Sequence, residues 1–265
     1  MRLAVAAVAL ALAASPADFV ASHQQQDGGF AEPGRESEPN LTAWAVLGLS
    51  AAGREPARSP VQYLAGAPAP SANDLALRIL ALRALGSDTD ELVARLERLR
   101  RPNGRIGPLV NSTIWGVLAL RSAGRPAGTS IRYLLRAQAR SGGWSWYPRG
   151  KPDSNDTAAA VQALHAGGVG RGSQAVRRGL AYLRSLQRRD GGFALLPGRT
   201  SDAQSTAWAI QGFLAAGRAP GRGAFRYLET LRRPDGSYRY SRRYAATPVW
   251  VTAQVLPALA RRPFP

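Results

Sequence analysis

The chain has 265 residues, of which 45% are hydrophobic, and it carries 35 basic residues against 17 acidic ones, for a formal charge of +18. It contains no cysteine, which excludes a disulfide framework, a thiolate nucleophile, an iron–sulfur cluster and any zinc site that needs sulfur. The length and apolar content predict a folded chain with a sizeable core. The excess of arginine is compatible with nucleic-acid or anionic-surface binding, but also with a solvated outer face.

The N-terminal segment has the pattern of a secretory signal. Met1-Arg2 is a short basic start, Leu3 to Ala14 is apolar, and small residues around Ala13 and Ala17 offer cleavage sites. We therefore predict a signal peptide over residues 1–17 and a single domain over residues 18–265, located outside the cytoplasm. Twelve apolar residues are too few to span a bilayer.

Two signatures alternate along the rest of the chain. The first is an aromatic residue and a leucine followed by Gln, Gly and an aromatic, best seen in Tyr182-Leu183, Gln187, Gly191 and Phe193. The second is a polar start followed by a small, apolar run, and its six copies begin at Asn40, Asn73, Asn111, Asn155, Gln204 and Ala246. A period of 33 to 49 residues is typical of helical-hairpin repeats. The chain is therefore predicted to contain six two-helix units.

The two helices of a unit have different environments. The helix ending at Gln187 is apolar on one face and arginine-rich elsewhere, which predicts an outer position. The run from Thr206 to Ala216 is apolar nearly all round, which predicts an inner helix buried on several sides. The recurring asparagines are predicted to cap the inner helices.

The first signature resembles the QW repeat of the squalene and hopene cyclases and prenyltransferase-like proteins, with Phe193 in place of the final Trp. The resemblance extends over nearly all of residues 18–265. It implies an all-α fold, an (α/α)6 toroid of six inner and six outer helices with a cavity at one end of the inner ring.

A second resemblance concerns catalysis. The segment Asp153-Ser154-Asn155-Asp156-Thr157-Ala158 is similar to the D-x-D-D-T-A motif of class II terpene cyclases, whose middle Asp protonates an alkene or epoxide. Asn155 stands at that middle position, and an amide cannot deliver this proton. Class II cyclases of this type place their active site between two helical domains, whereas this chain has room for one. The zinc site of the prenyltransferases needs a Cys, which the chain lacks.

These departures favour an exported, non-catalytic binding or scaffold module. Carboxamides and indoles at the cavity mouth suit a bulky, partly apolar ligand, either isoprenoid-like or cobalamin-like. The expected ligand-binding residues are Asn40, Trp44, Asn73, Asn111, Trp115, Trp146, Tyr147, Asp153, Asn155, Asp156, Gln204, Trp208 and Trp250. For each of them, packing or helix capping is an alternative role.

The cobalamin reading rests on a likeness to the toroidal domain of the cobalamin carriers, which act with a small β-rich domain. This chain would need a separate protein for that part, or an envelope transporter. Neither a cofactor nor a metal is expected to be required, nucleic-acid binding is disfavoured, and contact with a membrane surface is a weaker option. The alternative function is an isoprenoid-processing enzyme that uses Asp153 and Asp156.

Overall fold

The computed structural model describes residues 14–264, which form a ring of helical hairpins. Within this range twelve helices and one short antiparallel strand pair occur. The helices are α1 (Pro16–Ala21), α2 (Pro39–Ala51), α3 (Val61–Gly66), α4 (Ala72–Ala84), α5 (Asp90–Arg98), α6 (Val110–Ser122), α7 (Gly128–Ala137), α8 (Ser154–Ala166), α9 (Gln174–Ser185), α10 (Ala203–Ala215), α11 (Ala224–Glu229) and α12 (Pro248–Leu259). The strands are β1 (Phe193–Ala194) and β2 (Ser201–Asp202).

The even-numbered helices form the inner ring. Each packs against the next, and α12 packs against α2, so the ring closes. The odd-numbered helices lie outside, each packed most closely against the inner helix that precedes it in the ring, which is α12 in the case of α1. We call each outer helix with its following inner helix a unit, from unit 1 (α1 and α2) to unit 6 (α11 and α12). The predicted (α/α)6 toroid is confirmed.

Burial follows the predicted division between the helices. Of the residues of α10, only Gln204 and Leu214 are not buried, whereas the outer helix α9 buries Val176, Gly179, Tyr182 and Leu183. A helix in the inner ring contacts two inner neighbours and an outer helix, so apolar residues are needed around most of its circumference.

The repeated glutamine joins each unit to the next one. Gln187 Nε2 donates to the carbonyl oxygen of Gly191 in its own turn, at 3.0 Å, and to that of Arg222 before the next outer helix, at 3.4 Å. In units 3 and 6 an arginine replaces the glutamine and reaches the corresponding position, since Arg100 donates to Pro126 O and Arg232 to Ala14 O. The degenerate copies therefore retain the link between units.

Gly191 shows why the turn after the outer helix needs glycine. Its φ is +89°, and a Cβ there would lie 2.7 Å from the carbonyl oxygen of Gly223 in the next unit. Both the left-handed conformation and the close backbone approach exclude a side chain.

A repeated threonine fixes the register of every inner helix except α4. Thr206 Oγ1 accepts the backbone N–H of Phe193, and Thr252 Oγ1 accepts that of Tyr238. Aligned on Thr252, α12 places Trp250 where the other units have Asn or Gln, and Gln254 where Trp44 stands in unit 1. The sequence alignment of unit 6, started at Ala246, was therefore wrong by one helical turn.

The loops before the inner helices lie over the start of the preceding inner helix. Leu195 O accepts the N–H of Ser154, and Tyr240 O accepts that of Ala203. Where the ring closes, the carboxylate of Glu32 accepts the backbone N–H groups of Val249 and Trp250 at 3.0 and 2.8 Å. A side chain of unit 1 thus caps the last inner helix.

The predicted signal peptide lies largely outside the described residues, which begin at 14. Ser15 caps α1, so the ring includes the last residues of the predicted leader, and a cleavage after Ala13 would leave the described ring intact. Secretion itself stays a prediction. Among residues 14–264, no helix has the length and apolarity needed to cross a membrane.

Candidate functional site

A cavity of about 590 Å³ opens where the inner helices begin. Two layers of side chains line it. The upper layer, nearest the mouth, consists of Asn40, Asn73, Asn111, Asn155, Gln204 and Trp250. The lower layer, four residues further along each helix, consists of Trp44, Leu77, Trp115, Ala159, Trp208 and Gln254. Each inner helix supplies one residue to each layer because residues four apart share a helix face.

The cavity brings together all but one of the side chains that the sequence assigned to a ligand site. Tyr147 is the exception, since it is 58% exposed and does not line the cavity. Trp146 contributes to the rim and is 45% exposed. Sequence reasoning missed Asp74, Leu77 and Gln254, of which Gln254 would have been found by aligning unit 6 on the repeated threonine. Whether the predicted residues bind a ligand stays a prediction.

The asparagines are not helix caps. The N-cap residues are Glu38, Ser71, Leu109, Asp153 and Asp202 in units 1 to 5, two positions before the upper-layer residue. The asparagines therefore lie in the first turn of each helix and face the lumen, so the capping interpretation was wrong. The amides of Asn40, Asn73 and Asn111 bond instead to the next inner helix.

The lower layer is dominated by three indoles in mutual edge-to-face contact. The ring centroids of Trp44 and Trp115 are 5.3 Å apart, those of Trp115 and Trp208 5.4 Å, and those of Trp44 and Trp208 5.7 Å. Trp208 Nε1 donates to Gln254 Oε1 at 3.0 Å, which fixes the indole plane. The cavity floor is thus an apolar, π-rich surface.

Two carboxyl groups meet at the start of α8. Asp153 is the N-cap and accepts the backbone N–H of Asp156 at 2.8 Å, and the two side chains lie within hydrogen-bonding reach of each other. Asp156 is only 2% exposed. Burial, then the negative charge of Asp153, raises the pKa of Asp156 well above its usual value. Burial also raises the pKa of Asp153, against the hydrogen bonds that it accepts.

A directed chain of side-chain amides ends on Asp156. Asn73 Nδ2 donates to Asn111 Oδ1, and Asn111 Nδ2 donates to Asp156 Oδ1. Asp156 Oδ2 is buried and accepts no hydrogen bond. Oδ1 already accepts the amide N–H of Asn111, so Oδ2 is the oxygen left to carry a proton when Asp156 is neutral. Asn155 lies beside this pair and only accepts the hydroxyl of Ser154 at 3.0 Å.

A neutral side chain holds the loop before Asp153. The hydroxyl of Tyr182, on the outer helix α9, donates to Pro152 O at 2.5 Å. Burial, with the nearby charge of Asp153, raises the pKa of Tyr182 to about 12, so this donor stays protonated at neutral pH. The backbone on the N-terminal side of the carboxyl pair is therefore fixed from outside the cavity.

No protein-family profile matches the chain. A curated relative is the drimenyl diphosphate synthase of Streptantibioticus cattleyicolor, which is 32% identical over 196 residues, a stretch that covers 59% of this chain and 37% of the synthase. The chain thus spans little more than a third of that relative's length.

Two solved structures share the fold. The type II terpene cyclase MstE from Scytonema superposes with a TM-score of 0.69 at 16% identity, covering 92% of this chain and 95% of the cyclase. The ent-copalyl diphosphate synthase from Streptomyces platensis gives a TM-score of 0.62 at 24% identity, covering 84% of this chain and 50% of the synthase. At these identities the likeness shows the fold.

The expectation of a non-catalytic binding module was wrong, because the sequence relative is a synthase and the structural neighbours are terpene cyclases. Two arguments behind it fail. A single toroid covers 95% of MstE, so one ring of this size is compatible with a cyclase. Asn155 stands where the motif has one of its carboxyl groups, but another carboxyl group of the motif is present at the buried Asp156. The predicted likeness to cobalamin carriers finds no support among these relatives.

Proposed function

We propose that this protein is an isoprenoid cyclase of the class II type, which starts the reaction by protonating a carbon–carbon double bond or an epoxide of its substrate. The observation that carries the proposal is a buried carboxyl group, Asp156, whose pKa burial raises well above its usual value, in the wall of a cavity whose floor is built from indoles. The sequence match to a drimenyl diphosphate synthase supports the choice of an isoprenoid substrate.

Asp156 is the proposed proton donor, in place of the residue that Asn155 substitutes. A general acid must hold its proton at the working pH, and burial together with the charge of Asp153 meets that condition for Asp156. Its O–H bond breaks as the new C–H bond forms with the π electrons of the alkene, which leaves a carboxylate on the protein and a carbocation on the substrate.

Asn111 stabilises that carboxylate. Its Nδ2–H group already donates to Oδ1 of Asp156 before the proton leaves, and a hydrogen bond to a charged acceptor is stronger than one to a neutral acceptor. Asn73 orients Asn111 by donating to its Oδ1. The amide chain therefore favours the ionised product of proton transfer, whereas Asp153 favours the protonated starting state.

The indoles of the lower layer suit the carbocation. Trp44, Trp115 and Trp208 present aromatic surface to the cavity, and the face of an indole attracts a cation through its quadrupole. The apolar floor also excludes water, which would otherwise react with the carbocation.

The proposal is tested by incubating the purified full chain with prenyl diphosphates of increasing length, and with squalene as a diphosphate-free substrate, and analysing products by gas chromatography and mass spectrometry. Cyclised products from wild-type protein and their loss in Asp156→Asn are expected. Asp202→Asn is the matched control, because Asp202 is a buried N-cap of the adjacent inner helix that does not line the cavity. Unchanged substrate in every wild-type incubation would refute the proposal.

A further inference from the structure

The C-terminal residues cross the lumen below the cavity. After α12 ends at Leu259, Arg261 adopts a left-handed conformation with φ of 54°, and the backbone turns back toward the ring axis. The N–H of Phe264 then donates to Oε1 of Gln162, on α8, at 2.9 Å. This bond links the tail to α8, two inner helices away from α12, so the tail extends into the lumen.

Phe264 packs against the three indoles of the cavity floor. Its ring stacks on Trp208 with a centroid distance of 5.6 Å and an interplanar angle of 26°, and it lies 5.9 Å from Trp115 and 6.1 Å from Trp44. Only 8% of the residue is exposed. Burial of this kind is typical of a core aromatic residue.

The helix geometry places Phe264 on the far side of the indoles from Asp156. Gln162 lies seven residues after the upper-layer Asn155, or about 10 Å further from the mouth at the rise of an α-helix. The lower layer lies between these two levels. The order from the mouth is therefore the acid and amides, then the indoles, then Phe264.

We propose that Phe264 is a specificity-determining residue that sets the depth of the cavity and with it the length of isoprenoid chain that fits between Asp156 and the indole floor. Without its ring, the three indoles lose their packing partner and gain a void about the size of one isoprene unit into which they tilt. The inference rests on the proposed function for the nature of the ligand, but it concerns the size of the cavity.

The test measures binding, which does not require turnover. Affinities of wild-type protein and Phe264→Ala for geraniol, farnesol and geranylgeraniol are measured by quenching of tryptophan fluorescence. We expect the wild type to bind its best-fitting alcohol at least tenfold more tightly than the next longer one, and Phe264→Ala to reduce or reverse that difference. Phe264→Trp is expected to shift the preference toward a shorter chain.

Phe213→Ala is the matched control. Phe213 is also buried, but it packs against Phe193 at 6.0 Å and under Arg184 at 4.4 Å, away from the cavity lining. It is expected to lower stability without changing the order of preference. Should Phe264→Ala fail to fold, Phe264→Leu provides a milder truncation in the same assay.

The two proposals fail in different ways. An unchanged length preference in folded Phe264 variants, with cyclised product still formed, would overturn the role of Phe264 alone. A changed preference without any product from prenyl diphosphates or squalene would overturn the proposed reaction alone. Absence of binding to every prenyl alcohol in the wild type, together with no product from any substrate, would overturn both.

Discussion

Asp74 and Asp156 occupy the same position of units 2 and 4, one residue after the upper-layer asparagine, yet their pKa values are shifted in opposite directions. Each accepts a hydrogen bond from an asparagine of the preceding inner helix: Asn40 donates to Asp74 at 3.0 Å, and Asn111 donates to Asp156. The pKa of Asp74 lies below its usual value and that of Asp156 well above it. The same local motif thus favours the ionised carboxylate in one unit and the protonated acid in the other.

The difference arises from burial and from the N-cap residue. Burial acts to raise the pKa of Asp74 too, but the hydroxyl of Ser71 and the amide of Asn40 outweigh it by donating to the carboxylate. In unit 4 the N-cap is Asp153, which adds a negative charge instead of a donor, and Asp156 is more deeply buried. Deeper burial and the charge of the N-cap residue together therefore separate a structural carboxylate from a candidate acid.

The largest expected effect is on Asp156 itself. Because general acid catalysis contributes about 10² to 10⁴-fold, Asp156→Asn should lower the rate of cyclisation by that factor, measured as kcat with the preferred substrate. Asp74→Asn changes the equivalent carboxylate of unit 2 and should lower activity far less, by raising KM and not by lowering kcat. Equal losses in the two variants would contradict the assignment of the acid.

Exchanging the N-cap residues of units 2 and 4 should move the pKa values of Asp74 and Asp156 in opposite directions. Asp153→Ser gives unit 4 the cap of unit 2 and is expected to lower the pKa of Asp156, whereas Ser71→Asp should raise that of Asp74. The reaction needs protonated Asp156, so activity falls as pH rises through its pKa, and Asp153→Ser should move that fall to lower pH. Titration of ¹³C-labelled carboxyl groups by NMR measures both pKa values directly. If activity falls at the same pH in Asp153→Ser as in the wild type, the N-cap residue does not control the pKa of Asp156.

A smaller effect is expected from removing the asparagine amides that donate to Asp156 and Asp74. Asn111→Leu removes the hydrogen bond to Asp156 at similar volume and should raise the pKa of Asp156 further, because the carboxylate loses a donor. Asn40→Leu should affect Asp74 in the same direction and leave the pKa of Asp156 unchanged. The same carboxyl titration distinguishes the two. A shift of Asp156 in Asn40→Leu would mean that the units are coupled.

The smallest effect is expected at Asp202, the cap of unit 5. Burial, against hydrogen bonds from Ser205, raises its pKa to about 6, so its negative charge is unfavourable in the folded state. Stability linked to this group is present at low pH and decreases as pH rises from about 4 to 6, because the unfolded chain releases the proton first. Asp202→Asn should retain the cap and lessen that decrease by up to about 3 kcal/mol. Urea unfolding at pH 4 and pH 7 provides the measurement, and a pH dependence identical to wild type would contradict the shifted pKa.

Much of the ring could be predicted from residue patterns. Six repeats, the inner and outer helices and the polar mouth follow from periodicity, because the burial of each helix depends mainly on its place in a unit. The assignment of unit 6 failed because Trp250 was matched to the recurring Trp of the other units. The structure instead aligns unit 6 on Thr252, one helical turn further along, because Thr252 Oγ1 accepts the backbone N–H of Tyr238.

The sequence by itself determined the fold class and the residues that line the cavity, since both depend on short-range patterns repeated along the chain. Only the tertiary structure decided which carboxyl group holds a proton. That property depends on Asn111, which lies 45 residues from Asp156, and on burial by neighbouring units. The closing of the ring by Glu32 and the position of Phe264 beneath the indoles were likewise decided by contacts between distant units, because no local pattern specifies them.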